Sequence, residues 1–187
     1  MARDTGIAYG PKRIYQTPSP AQLLQRAKFS ALMAFLHPIK PFLAARFGKR
    51  EGNNVPFELA LSYHLKEAIG VEGDTLKLIY PKVCISKGHL RGVEGITATV
   101  VSGDVLTIQW RDNSDQSFAC AGDLLTIALY VPAIDSFFFF ENIALRKDTH
   151  AELSLPAAAI GADVHCWATF VTISGSQAAT SCYFSYL

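Results

Sequence analysis

What narrows the choice of fold is a change of hydrophobic period near Leu76. Between Ser19 and Ile69, apolar residues recur every three or four positions, as on one face of a helix. From Leu76 onward they alternate with polar residues over short runs. In VLTIQW (105–110), Leu106, Ile108 and Trp110 share one face while Thr107 and Gln109 share the other. Helices at one end and short strands at the other predict an α+β protein with N-terminal helices packed on an antiparallel sandwich. The expected units are an extended arm (1–18), a helical region (19–75) and the sandwich (76–187).

Ser19 is a good N-cap, with Pro20 at N1 and Gln22 at the N3 position of a capping box. Leu24, Ala27, Ala31 and Phe35 form a stripe that Leu32, Met33 and Leu36 widen. His37-Pro38 ends or kinks this helix, because a residue before proline avoids the α region. A shorter helix is expected over 39–47, then a polar loop, GKREGNN (48–54). A third runs from Pro56 to Ile69, with Asn54 as its cap and Gly70 at C′. Phe57, Leu61, Leu65 and Ala68 share its apolar face, and His64 lies beside that face as a packing or hydrogen-bonding residue. Strands are expected at 76–80 and 82–86 about Pro81. A hairpin over 96–100 and 105–110 turns at Ser102-Gly103-Asp104. Further strands are expected at 123–131, 137–145, 151–155, 162–173 and 178–187.

Phe137, Phe138, Phe139 and Phe140 put two rings on each face of a strand. One pair enters the sandwich core; the other has to meet the helices, a neighbouring subunit or water, and exposure to water invites aggregation. Tyr183, Phe184 and Tyr186 near the C terminus make the same demand. In the arm, Ile7, Ile14 and Tyr15 are isolated apolar residues: either the arm is a plain tail, or these residues anchor it on another subunit.

Half the residues are hydrophobic and 18% are charged, which suits a buried core and not a disordered chain. A net charge of +1 supplies no global field for nucleic acid or an anionic membrane, and permits close self-association. No run approaches the roughly 20 apolar residues of a membrane span. The N terminus has no apolar signal region, so the expected location is cytoplasmic, or outside the cell by a non-Sec route. Cys84, Cys120, Cys166 and Cys182 show no CxxC spacing and read as reduced, buried thiols. Nucleotide-loop, zincin and nucleophile-elbow motifs are absent, and the five histidines lack metal-ligand spacing. His165 and Cys166 are adjacent on a strand and face opposite ways. Arg111–Asp115 is oxygen-rich but reads as a solvated loop. Lys82, Lys87 and Arg91 gather around Gly88 and His89 in a small basic cluster. It is compatible with phosphate, a solvated loop being the plainer reading. No catalytic residue, metal or cofactor is assigned.

Trp110 at the end of an early strand, a long paired strand, and Leu155-Pro156 before VHCWATF resemble a fibronectin type III or immunoglobulin-like module over about residues 82–187. Gln22, Arg26-Ala27-Lys28-Phe29, Phe35-Leu36, Pro38-Ile39-Lys40, Phe47, Ser62–Ile69, Lys82-Val83, Ser86–Leu90 and Trp110 together resemble an uncharacterised family of Bacteroidota proteins of similar size. The resemblance implies helices followed by an immunoglobulin-like sandwich and carries no activity.

With no catalytic motif, near-zero charge and wide apolar faces, the leading expectation is a non-enzymatic structural protein. It would assemble with copies of itself as an oligomer, filament or particle, through the arm, Phe137–Phe140 and the C-terminal aromatics. The alternative is a glycan- or protein-binding module using the loops Ser86–Gly92 or Arg111–Ser117.

Overall fold

The computed structural model describes residues 17–50, 52–73 and 75–186. Three helices, α1 (Pro20–Leu36), α2 (Lys40–Arg46) and α3 (Pro56–Glu67), lead into a small hairpin of β1 (Ile69–Glu72) and β2 (Thr75–Leu78). Seven strands follow: β3 (Thr97–Val101), β4 (Val105–Gln109), β5 (Leu124–Val131), β6 (Ser136–Leu145), β7 (His150–Ser154), β8 (His165–Val171) and β9 (Cys182–Phe184). They form two antiparallel sheets, ordered β3-β4-β7 and β6-β5-β8-β9. This is an immunoglobulin-like sandwich with the helices N-terminal to it, an α+β protein.

The molecule has three layers and two cores. Leu106, Ile108, Leu125, Ile127, Leu129 and Phe170 fill the space between the sheets. Leu36, Leu43, Phe47, Phe57, Tyr130 and Trp167 fill the space between the helices and the outer face of the four-stranded sheet. β5 is therefore buried on both faces and reads as the unbroken run LLTIALYV, without the alternation of a half-exposed strand. The same reason explains the four phenylalanines. Phe138 and Phe140 pack on the inter-sheet core, and Phe137 and Phe139 on the helical core. Phe137 lies 5.2 Å from Phe35, and Phe139 lies 4.5 Å from Phe42, between ring centroids.

Several local expectations are corrected. Only the last turns of α1 reach the body: Leu32, Phe35 and Leu36 are buried, whereas Leu24 and Ala27 of the expected stripe are exposed. Helical spacing marks a face but not how much of its length is covered. The buried face of α3 centres on Phe57, Ala60 and His64; of the expected stripe Phe57 and Ala68 are buried, and Leu61 and Leu65 only partly. Its N-cap is Val55, not Asn54, and Gly70 lies in β1. The 82–86 run is not a strand. A single 3-10 turn holds Tyr80–Lys82, and beyond it the Cys84 and Ile85 N–H groups bond the His64 and Ser181 side chains in place of a neighbouring strand. The β1–β2 hairpin crosses the boundary expected at 75/76, and the first sandwich strand begins at Thr97. At the other end only Cys182–Phe184 of 178–187 is strand. Of the four cysteines expected to be buried, Cys84 and Cys166 are, Cys182 is half-buried and Cys120 is exposed.

The His37-Pro38 break, the capping box at Ser19 and the hairpin turn at Ser102 and Gly103, both at positive φ, are as the residue types predict. Among the described residues no helix is long and apolar enough to cross a membrane.

Candidate binding groove

The irregular segment 83–96 is where the helices and the sandwich meet. It is held on two sides. On one, the Gly48 N–H donates to the Lys87 carbonyl (2.6 Å) and the Lys87 N–H to the Arg46 carbonyl (3.0 Å), a parallel bridge to the end of α2. Gly48 sits at φ +71°, a conformation glycine adopts without a Cβ penalty. On the other, the Ser181 N–H donates to the Ser86 carbonyl (3.0 Å), and the Ser86 hydroxyl bonds Thr169 Oγ1 (2.8 Å) and the Ala179 carbonyl (2.9 Å). A Cβ at Gly88 would collide with the Ala178 carbonyl, so the close approach of these two chains requires glycine there.

Beneath the segment, His64 is fully buried. Its Nε2 accepts from the Cys84 N–H (3.2 Å), so its proton lies on Nδ1, which donates to the Ala60 carbonyl (2.6 Å). Burial pulls its pKa down to about 4 and pushes the Cys84 thiol up. Both are neutral near pH 7, and the imidazole contacts the Cys84 backbone rather than its sulfur. This pair is a tie between α3 and the segment.

Above it, three concavities adjoin, and His89 borders all three. The one lined by the most lysines is a groove of about 450 Å3 between α3, the α2–α3 loop and the Lys87 turn. Lys49, Tyr63, Lys66, Glu67, Lys87 and His89 line it. Lys87 Nζ stands 5.1 Å from the Tyr63 ring centroid, a cation–π contact that orients the ammonium. Tyr63 has its pKa raised, first by burial and then by Cys84 and Glu67. The second concavity is wider and more open, between 89–94 and 115–118. There the Arg91 N–H donates to the Phe118 carbonyl (2.8 Å) and Asn113 Nδ2 to the Gly92 carbonyl (3.1 Å). Phe118 stands on its rim at φ +62° and 74% exposed, a strained backbone for a bulky residue. Beyond the third, Arg46 donates to the Gly175 carbonyl (2.7 Å) and pairs with Glu141 (3.5 Å).

The two loops singled out as alternatives, Ser86–Gly92 and Arg111–Ser117, thus face each other. Of the basic cluster, Lys87 enters the groove, Arg91 turns to Glu94 (2.6 Å) at the second concavity, and Lys82 lines neither. Lys49, Tyr63 and Lys66 were not singled out in the sequence. Leu59, Ser62, Tyr63, Lys66 and Glu67 do recur at helical spacing, which marks a polar α3 face but not what it borders.

The expected interface residues lie elsewhere. Ile7, Ile14 and Tyr15 fall outside the described residues. Phe137–Phe140 are partly buried within the chain, as above. Phe184 is buried in the inter-sheet core, and Tyr186 packs at its edge. The Tyr183 hydroxyl meets His165 Nδ1 at 2.9 Å. Among the described residues no three His, Cys, Asp or Glu side chains gather as metal ligands.

A family described only as being of unknown function, DUF6266, matches residues 5–185. No curated protein matches the chain. Among solved structures, the chicken CNTN1 FN1–FN3 domains align over 53% of this chain and 33% of theirs, at 8% identity and a TM-score of 0.37. The fn3 domain of the human collagen alpha-1(XX) chain aligns over 51% and 81%, at 12% identity and 0.36. A structure described as a myokine aligns over 52% and 97%, at 14% identity and 0.36.

Proposed function

The chain belongs to the DUF6266 family, whose function is unknown, and from its own geometry we propose that it is a non-enzymatic binding module. Its ligand would seat in the groove lined by α3 and the Lys87 turn. The observation that carries this reading is the double anchorage of 83–96. A loop tied to α2 on one side and to 178–181 on the other presents Lys87 and His89 on a rigid rim, with little conformational entropy left to lose on binding. The test is a melting-temperature screen of soluble glycans and peptides against wild type and a groove-filling Ser62→Trp variant; Ser62 is exposed on α3 and borders the groove. A ligand-dependent rise in wild type that is lost in Ser62→Trp supports the reading; equal rises in both overturn it.

A second reading, self-assembly, is supported by α1. Its first eleven residues lie outside both cores, with Leu23, Leu24 and Phe29 each more than 40% exposed. A helix segment of that length is marginal in water without packing. The proposed occupant is a second copy of the chain, whose net charge of +1 offers little repulsion. The arm would add contacts to the neighbouring subunit, and the Bacteroidota origin implied by the resemblance belongs to the same proposal. Light scattering of wild type against Leu23→Ser/Leu24→Ser/Phe29→Ser decides it: a large assembly that the triple variant dissolves supports it, and a 20.4 kDa wild-type monomer overturns it.

A further inference from the structure

We infer that the groove takes a small, multiply charged oxyanion, a phosphate ester or a polycarboxylate; this rests on the groove being a binding site. Three ammonium groups come to it from separate elements: Lys49 from the α2–α3 loop, Lys66 from α3 and Lys87 from the anchored turn. Among the described residues, none of the three has a carboxylate within salt-bridge distance, although Lys77, Arg91 and Arg146 each have one. Glu67 is the one carboxylate among the groove's lining residues. The whole chain balances 17 basic against 16 acidic residues, so three lysines against one glutamate is a local excess.

Like charges sharing a concavity raise one another's energy, and an anion relieves that. Lysine is a compact point charge with rotatable donors. It serves a tetrahedral phosphate or a carboxylate equally, without the planar fork that arginine would impose. Ser62 and Thr180 add neutral hydroxyls to the lining. A volume of about 450 Å3 suits a small metabolite-sized ligand.

The test uses the full chain at constant ionic strength, with inorganic pyrophosphate, citrate and neutral cellobiose titrated by calorimetry. The variants are Lys66→Gln and Lys87→Gln, with Lys147→Gln as a control away from the groove; all three positions are exposed. The expected result is binding of pyrophosphate or citrate, weakened about tenfold or more in each groove variant and unchanged in the control. Which of the two binds more tightly separates phosphate from carboxylate as the source. Anion binding that is equal in all variants overturns the site. Cellobiose binding without anion binding overturns the charge inference and leaves the groove reading standing. No binding by any probe at millimolar concentration overturns both.

Discussion

Arg146 and Asp123 form a buried ion pair, Nη2 to Oδ2 at 2.9 Å, with both side chains almost wholly out of water. Arg146 spends its remaining donors on Asn113 Oδ1 (2.6 Å) and the Arg91 carbonyl (2.9 Å), while its guanidinium lies 3.9 Å above the Phe170 ring. Trp110 Nε1 donates to its carbonyl (2.7 Å). One side chain therefore fixes both loops of the second concavity. Arg146→Met should lower stability by about 3–5 kcal/mol, because Asp123 is left buried and unpaired. Urea unfolding measures this. Adding Asp123→Asn to the same chain should recover part of the loss.

Gly88→Ala should destabilise by about 1–3 kcal/mol, since the new methyl meets the Ala178 carbonyl and one of the two chains has to move. Gly92→Ala is the control: its methyl would make only an ordinary contact, 3.6 Å from the Thr180 carbonyl. Thermal melts of the two should separate clearly, and the groove should lose ligand only in the first.

His64 predicts a pH dependence. Its folded pKa of about 4 lies below the ordinary value of 6.5, so the unfolded chain takes up a proton that the fold refuses. Its contribution is complete above about pH 6.5 and is lost as the pH falls towards 4, by up to about 3 kcal/mol. Unfolding free energies of wild type and His64→Gln across that window check the sign. The variant should show the shallower slope, and a wild type that gains stability on acidification contradicts the assignment.

Phe137→Ala and Phe139→Ala should each cost about 1–3 kcal/mol, below the full range for a completely buried ring because both are only partly buried. Neither should alter the particle mass in light scattering. A change of mass without loss of stability would mean that these rings face a second subunit and not Phe35 and Phe42.

The change of period at Leu76 made the order of the two halves legible, and capping chemistry at Ser19 and the His37-Pro38 break located α1 correctly. What periodicity does not carry is which faces are covered twice. The run of four phenylalanines left open whether its second face met helices or a neighbour, because alternation reports sidedness and not the identity of the covering layer. The 82–86 segment misled for a different reason. It is apolar enough for a strand, but its Cys84 and Ile85 N–H groups go to the His64 and Ser181 side chains, so no strand ladder forms. The groove was half legible. Lys87, Gly88 and His89 stand together in the chain, whereas Lys49 and Lys66 reach them only through the packing of α2 and α3.

The helical layer also sets an order of events during synthesis. Leu36, Leu43 and Phe47 leave the ribosome early, yet Tyr130, Phe137 and Trp167, on which that layer closes, come much later. At about 5–20 residues per second the wait is on the order of ten seconds. Throughout it the nascent helices can close only on one another, and the surface that will meet the four-stranded sheet has no native cover.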